Sequence, residues 1–430
     1  MALKILLISY YWPPAGGPGV QRWLKFVKYF REFDIEPIVY IPKNPTYPLT
    51  DDSLEKEIPK NVTILTKPIF EPYRFAEIFS KKDSKTISKG IITDAKKQSW
   101  LQKILLYIRG NFFIPDARKF WVQPSVRFLE EYLKENEIDT IITTGPPHSM
   151  HLIGLQLKKR IGVKWVADFR DPWTTIGYQN KLKLTSASKL KHQKLEKEVL
   201  HSADHVVATS FTTKEEFAKI TPQPITLITN GYDDEVIETV SLDSKFSVAH
   251  IGSLLSERNP LILWKVLSEL IKEYPDFSEA FILHLVGTVS ADVTASIIKF
   301  GLSDYVKHHG YVSHQEAVRL QRTTQVLLLI EIDREETKSI IPGKLFEYIH
   351  AKRPILALGP ENADLFQIIE ETNSGHFFTY QQHSQLKNQI LSYFELYKKG
   401  DLNIETRNIE QYSRRALTQK MATLLHQIAD

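Results

Sequence analysis

The feature that most constrains this chain is its alternation of short, continuous apolar runs with amphipathic helical stretches. Lys4–Ser9 is almost wholly apolar, as a strand covered on both faces must be. A loop carrying Pro13, Pro14, Gly16, Gly17, Pro18 and Gly19 follows. Val20, Trp23, Leu24, Val27 and Phe30 then recur at helical spacing, and Glu36–Ile41 restores a strand. Strand, glycine-rich turn, helix and strand in that order make a parallel β-α-β unit. The fold class expected is α/β: two doubly wound Rossmann-like domains facing across a cleft. A chain of 430 residues is too long for one such core.

Later segments repeat the plan. Strands are expected at Thr140–Thr143, Lys164–Asp168, His205–Thr209 and Thr226–Thr229, with a helix over Ser149–Arg160. A second half has strands at Ser247–Ile251, Ile282–Val286, Gln325–Leu329 and Pro354–Leu358, and helices at Pro260–Glu273 and Gly343–Ala351. Acidic and small residues interrupt the pattern around 233–245, where the two halves should divide. No repeat with a period of ~20–50 residues is apparent.

Composition excludes several classes. Lys+Arg 55 against Asp+Glu 51 is too balanced for a nucleic-acid partner. With no cysteine there is no disulfide scaffold, Cys-ligated zinc site or Cys nucleophile, and a reducing cytoplasm fits. The apolar start is followed by Tyr10-Tyr11-Trp12-Pro13 rather than a cleavage site, and reads as a strand. No apolar stretch approaches the ~20 residues that span a bilayer.

Four clusters are candidates for chemistry. Gly17 and Gly19 precede the first helix, where free amides favour an anion, although a plain tight turn would look the same. The spacing is not Gly-x-Gly-x-x-Gly, which speaks against a dinucleotide oxidoreductase. Asp168-Phe169-Arg170-Asp171 ends a strand with three charges in four residues, costly there unless paired or used. They read either as groups used in a site or as an Asp–Arg pair capping the next segment. His148, in a neighbouring strand's exit loop, could donate to a hydroxyl or phosphate, or could simply be solvated. Pro342-Gly343-Lys344, with Glu347 one turn on, sets a lysine, free helix amides and a carboxylate on one face. That is a diphosphate and ribose-diol arrangement; the alternative is an exposed Lys–Glu pair.

With these residues in view, the whole chain resembles a family 4 retaining glycosyltransferase of the GT-B fold. Pro342-Gly343-Lys344-Leu345-Phe346-Glu347-Tyr348, with Ala351 and Pro354, resembles the family's nucleotide-ribose helix. Thr229-Asn230-Gly231-Tyr232-Asp233 is similar to the turn closing the first domain. Ile251-Gly252-Ser253-Leu254 with Arg258 is similar to the opening strand and basic loop of the donor domain, and Leu285-Val286-Gly287 and His309-Gly310-Tyr311-Val312 to its next strand exits. Ser253, Ser339 and Arg170 stand where the family often has a cation, a glutamate and a histidine.

The resemblance implies an acceptor-side domain over 1–235, a nucleotide-sugar domain over 236–405, and a C-terminal helix within 406–430 that crosses back to the first domain. It implies transfer from a nucleotide-diphosphate sugar to a glycan or lipid-linked saccharide, with retention and with no metal or other cofactor. Donor-binding residues would be Gly17, Gly19, Asn230, Gly252, Ser253, Arg258, Gly343, Lys344 and Glu347; catalytic ones Asp168, Arg170, Asp171 and His148. A sugar-nucleotide epimerase or hydrolase, or a catalytically silent nucleotide-sugar-binding protein, are the alternatives.

One segment stands apart. Between Lys81 and Arg109 eight basic residues face two acidic ones, beside an apolar helical face of Trp100, Leu101, Ile104, Leu105 and Ile108. Such a composition suits peripheral contact with an anionic membrane at the cytoplasmic face of the plasma membrane. The alternative is that the apolar face packs on the first domain.

Overall fold

The computed structural model describes residues 2–72, 100–175, 177, 179, 182–233 and 240–429, and for 101–103 the backbone alone. The chain forms two compact units: Met1–Asn230 with Arg414–Asp430, and Gly231–Ser413.

The first unit is built on a parallel sheet of seven strands: β1 Leu3–Ile8, β2 Ile35–Lys43, β3 Thr63–Pro68, β4 Thr140–Gly145, β5 Lys164–Phe169, β6 His205–Ala208 and β7 Ile225–Leu227. Their spatial order is β3-β2-β1-β4-β5-β6-β7. Its helices are α1 Pro18–Tyr29, α2 Trp100–Phe112, α3 Lys119–Glu135, α4 Ser149–Ile161, α5 Ser186–Ser202 and α6 Phe211–Ala218. Leu6 and Ile8 enter one buried cluster with Trp121, Ile153 and Trp165. Ile5 and Leu7 enter another, on the opposite face, with Trp23, Val27 and Leu425. Alternate side chains of one strand thus feed two cores, which is why β1 reads as an unbroken apolar run.

The second unit has a six-stranded parallel sheet: β8 Phe246–Ile251, β9 Phe281–Val286, β10 Val306–Gly310, β11 Val326–Ile330, β12 Ile355–Gly359 and β13 Gly375–Thr379, ordered β10-β9-β8-β11-β12-β13. Around it lie α7 Leu261–Glu273, α8 Pro275–Ala280, α9 Ala291–Lys299, α10 His314–Thr323, α11 Gly343–Ala351, α12 Asp364–Glu371 and α13 His383–Lys398. Leu263, Trp264, Leu267 and Phe394 pack on Val248, Leu283 and Leu328 of the sheet.

The last helix, α14 Arg414–Ala429, belongs to the first unit. Leu417, Met421, Leu424 and Leu425 join the cluster around Trp23. Arg414 Nη2 donates to Gln21 Oε1 at 2.9 Å, and Arg415 Nε pairs with Glu32 at 2.6 Å. Both sheets reverse their winding at one place, between β1 and β4 in the first and between β8 and β11 in the second. Ligands of open α/β sheets bind outside the carboxyl ends of the strands at such a reversal.

Candidate functional site

In the second unit the reversal brings together the exits of β8 and β11 and the start of α11. Gly252, directly after β8, has φ +123°, a region that favours glycine. A Cβ there would lie 3.2 Å from Lys344 Nζ, so the bare backbone also makes room for the lysine. Tyr348, one turn along α11, accepts from the Ile251 amide at 2.9 Å and fastens the helix to the end of β8.

Lys344 Nζ sits 3.4 Å from His250 Nε2, while His250 Nδ1 lies 3.1 Å from the Leu328 carbonyl. A carbonyl only accepts, so the proton is on Nδ1 and Nε2 presents its lone pair to the ammonium. Burial, with Lys344 close by, keeps the His250 imidazole well below its ordinary pKa. Burial likewise pushes Lys344 down to about 8; Glu331 and Glu347 pull it up, and Arg258 pulls it down. Arg258 Nη2 donates to Glu331 Oε2 at 3.1 Å. Among the described residues the second Glu331 oxygen and Arg258 Nε have no partner, although both atoms are buried. Glu347 Oε2 accepts from Gln321 Nε2 at 2.9 Å, which sets the direction of its carboxylate. Ser253 is exposed on the same turn.

Gly252, Arg258, Gly343, Lys344 and Glu347 therefore lie around one strand-end site. Sequence reasoning missed two of its members, His250 and Glu331. Glu331 carried a readable signal: a carboxylate placed directly after the all-apolar strand Val326–Ile330.

In the first unit the loops after β1, β4 and β5 converge. The Asp168 carboxylate, expected to face a sugar, is instead fully buried. It accepts from Arg22 Nη2 at 2.9 Å, Trp23 Nε1 at 2.9 Å and Thr144 Oγ1 at 2.8 Å. Arg22 also donates to the Thr229 carbonyl at 2.6 Å. Asp168 is the hub that ties α1 to β4 and β5, because a buried guanidinium requires a counter-charge. Asn230 follows that anchored carbonyl and closes the unit.

Arg170 is half-buried. Its guanidinium lies against Gly19, where any Cβ would collide with it. It donates to the Pro146 carbonyl and stands 5.8 Å above the Tyr11 ring. Gly17, the residue before α1, has φ +107° and open space where a side chain would be. Asp171 is exposed beside Arg170. His148 is not solvated: it is 4% exposed and stacks on Trp173 at 4.7 Å with the planes 2° apart. Among the described residues neither ring nitrogen has a partner. Burial, then His151 and Arg170, hold it well below its ordinary pKa, so it is a neutral donor–acceptor. Thr143 accepts from Trp165 Nε1 at 2.8 Å and so turns its own hydrogen to His151 Nδ1, also at 2.8 Å.

Residues 90–236 match the Glycosyltransferase Family 4 model. That stretch, about a third of the chain, is similar to family 4 glycosyltransferases. Solved structures agree in fold over the full length. A glycosyltransferase from Rickettsia africae ESF-5 is 13% identical with a TM-score of 0.61, covering 100% of this chain and 99% of that one. Sucrose-phosphate synthase from Thermosynechococcus elongatus is 14% identical, TM-score 0.62, covering 99% of both. Anabaena HepE in complex with UDP is 16% identical, TM-score 0.57, covering 99% of this chain and 97% of that one. No curated protein sequence matches the chain. The fold is thus GT-B, with the doubly wound sheets expected of it.

Proposed function

We propose that this glycosyltransferase moves a sugar, with retention, from a nucleoside-diphosphate donor to a glycan or lipid-linked saccharide. It works in the cytoplasm at the inner face of the plasma membrane. The observation that carries the reading is the Lys344–His250–Arg258–Glu331 cluster at the winding reversal of the second sheet. Two cations there have donor atoms to spare, and one of them is held near its deprotonation point by burial. A diphosphate would return Lys344 to full charge and complete Arg258, whereas an exposed Lys–Glu pair would show neither feature. UDP in the HepE structure favours a uridine donor.

Glu347, oriented by Gln321, is placed to accept from the ribose diol. As the glycosidic bond to the diphosphate breaks, negative charge grows on the leaving oxygen. Lys344, Arg258 and the amides around Gly343 are fixed in advance of that charge, which is how a preorganised site lowers a barrier. In the first unit His148 and Arg170 are assigned to the acceptor or the transferred sugar: one neutral donor–acceptor, one cation with a free Nε. Gly17 leaves the backbone open beside them, Gly19 makes room for the Arg170 guanidinium, and Asp168 acts only as a positioning residue.

The test combines two measurements. Nucleotide sugars are screened by thermal shift, since a ligand that binds only the folded state stabilises it by mass action. Acceptor-dependent release of the nucleoside diphosphate is then followed for wild type, Lys344→Ala and Glu347→Ala. Loss of a charged hydrogen bond predicts donor binding weaker by about tenfold to a hundredfold. Lys344→Ala should slow turnover as well, because it removes charge stabilisation that grows in the transition state. Wild-type donor affinity in both variants would remove the site assignment. Donor consumption without acceptor dependence would point to the epimerase or hydrolase, and binding without consumption to a silent binding protein.

A further inference from the structure

Of the segment Lys81–Arg109, residues 81–99 lie outside those described, but α2 is described from Trp100 onward. Of its apolar face, Trp100, Ile104 and Ile108 are exposed and Leu105 is half-buried. Trp100 is 73% exposed, Ile104 44%, Tyr107 42%, Ile108 37% and Phe112 64%. Their spacing of four, three, one and four residues puts them on one side of the helix. The side turned inward is marked by Leu106 and Gly110. A Cβ on Gly110 would come within 2.8 Å of the Leu182 carbonyl, so the helix is seated as closely as a backbone allows. Asn111 locks the seat: its Oδ1 accepts from the Thr185 amide at 2.8 Å, and Thr185 caps α5. The apolar stripe is therefore held outward by its own anchoring and does not arise from a loosely attached helix.

Charge surrounds the stripe with one sign. Across 100–120 and 182–197 there are nine Lys and Arg, of which Arg118 is turned inward to Glu71 and Tyr10, against two carboxylates, Asp116 and Glu196. Both acids are turned to internal partners: Asp116 accepts from Ser149, and Glu196 from Trp173 and Thr174. Lys189, Lys191, Lys194 and Lys197 are all exposed on α5. Lys119 bridges the two parts. Its ammonium donates to the Phe112 carbonyl at 2.6 Å, and partial burial together with Lys191 lowers its pKa.

We propose that α2 and α5 form one docking surface for an anionic lipid bilayer, with the Trp100–Phe112 stripe entering the interface and the α5 lysines facing headgroups. A bilayer is favoured over a protein partner because the surface joins a full-length exposed aromatic and aliphatic helix face to unopposed lysines. This is the pairing of an interfacial helix, with Trp, Tyr and Lys at headgroup depth. Among the described residues no helix is long and apolar enough to cross a membrane, so the contact is peripheral. The inference deepens the inner-face placement proposed above, and its physical basis is independent of the donor site.

Co-sedimentation of the full chain with vesicles tests it, using neutral phosphatidylcholine alone and with 30 mol% phosphatidylglycerol, about three lipids in ten. Binding is expected to need the anionic lipid and to weaken with salt, since surface charges are screened within about 10 Å at 0.1 M. Each basic residue near an anionic surface is worth about fivefold in partitioning, so Lys189→Glu/Lys191→Glu/Lys194→Glu should lose a hundredfold or more. Trp100→Ser/Phe112→Ser should also lose binding while keeping the salt dependence of what remains. Both variants change exposed residues and should keep the donor-induced thermal shift, which separates failure of this surface from failure of the donor site. Wild-type protein that ignores anionic vesicles at low salt overturns the proposal. So does binding that neither variant reduces, or a stripe variant that turns an oligomer into a monomer with vesicle binding unchanged, because the stripe would then cover a second copy.

Discussion

Asp168→Ala is the sharpest test of the physical account of the first unit. The carboxylate has no exposed surface and three donors reach it: Arg22, Trp23 and Thr144. Its main partner, the Arg22 guanidinium, is 2% exposed, so no water replaces what the substitution removes. Taking one member from a buried ion pair costs about 3–5 kcal/mol, chiefly because the other charge stays behind unpaired. For a unit of this size each kcal/mol is worth about 2–4 °C, so its midpoint should fall by about 6–20 °C. Calorimetry or tryptophan fluorescence reads the transition, since Trp23 and Trp165 are buried in the affected unit. The double replacement Arg22→Met/Asp168→Leu should recover much of the loss, because it leaves no isolated charge. A loss under about 1 kcal/mol would refute the hub. Equally damaging would be an Asp168→Asn variant with unchanged midpoint and transfer reduced about a hundredfold, the signature of a group in the chemistry itself.

Donor affinity should fall as pH rises through about 8, by up to about tenfold per pH unit, because the diphosphate takes up the protonated form of Lys344. Lys344→Arg should flatten that profile. The same depressed pKa has an opposite sign for stability: unfolded Lys344 holds its proton to about pH 10.4, so the donor-free second unit should gain stability between about pH 8 and 10. Glu331→Gln should weaken donor binding by about tenfold through Arg258, which loses its charged partner; unchanged binding by calorimetry would detach Glu331 from the site. Gly19→Ala should displace Arg170 and reduce acceptor-dependent turnover while leaving the donor thermal shift of the second unit intact.

Local pattern decided a good deal of this protein by itself. The unbroken apolar runs at Ile5–Ile8, Val326–Ile330 and Ile355–Gly359 read as strands buried on both faces, and helices between them leave a parallel sheet as the way to cover them. The Pro342-Gly343-Lys344…Glu347 cluster was legible for the same reason, since all its members lie within one turn and a half of one helix. Edge strands were harder. β3 and β13 carry exposed and half-buried residues throughout much of their length, so their alternation is weak and only pairing with β2 and β12 defines them.

What the sequence could not decide was direction. Asp168, Arg170 and His148 looked like three members of one polar site. The fold turned Asp168 inward onto Arg22, 146 positions away in the chain, and stacked His148 on Trp173. His250 and Glu331 met Lys344 and Arg258 only because β8 and β11 are neighbours at the winding reversal. The α2 composition suited either membrane contact or packing on the first domain, and only the seating of Gly110 and Asn111 showed which side was outward. Spacing along the chain sets which residues share a face over a turn or two of one element. Which face is buried, and which distant charge meets it, depends on contacts between elements far apart in the chain, and those exist only once the sheet has formed.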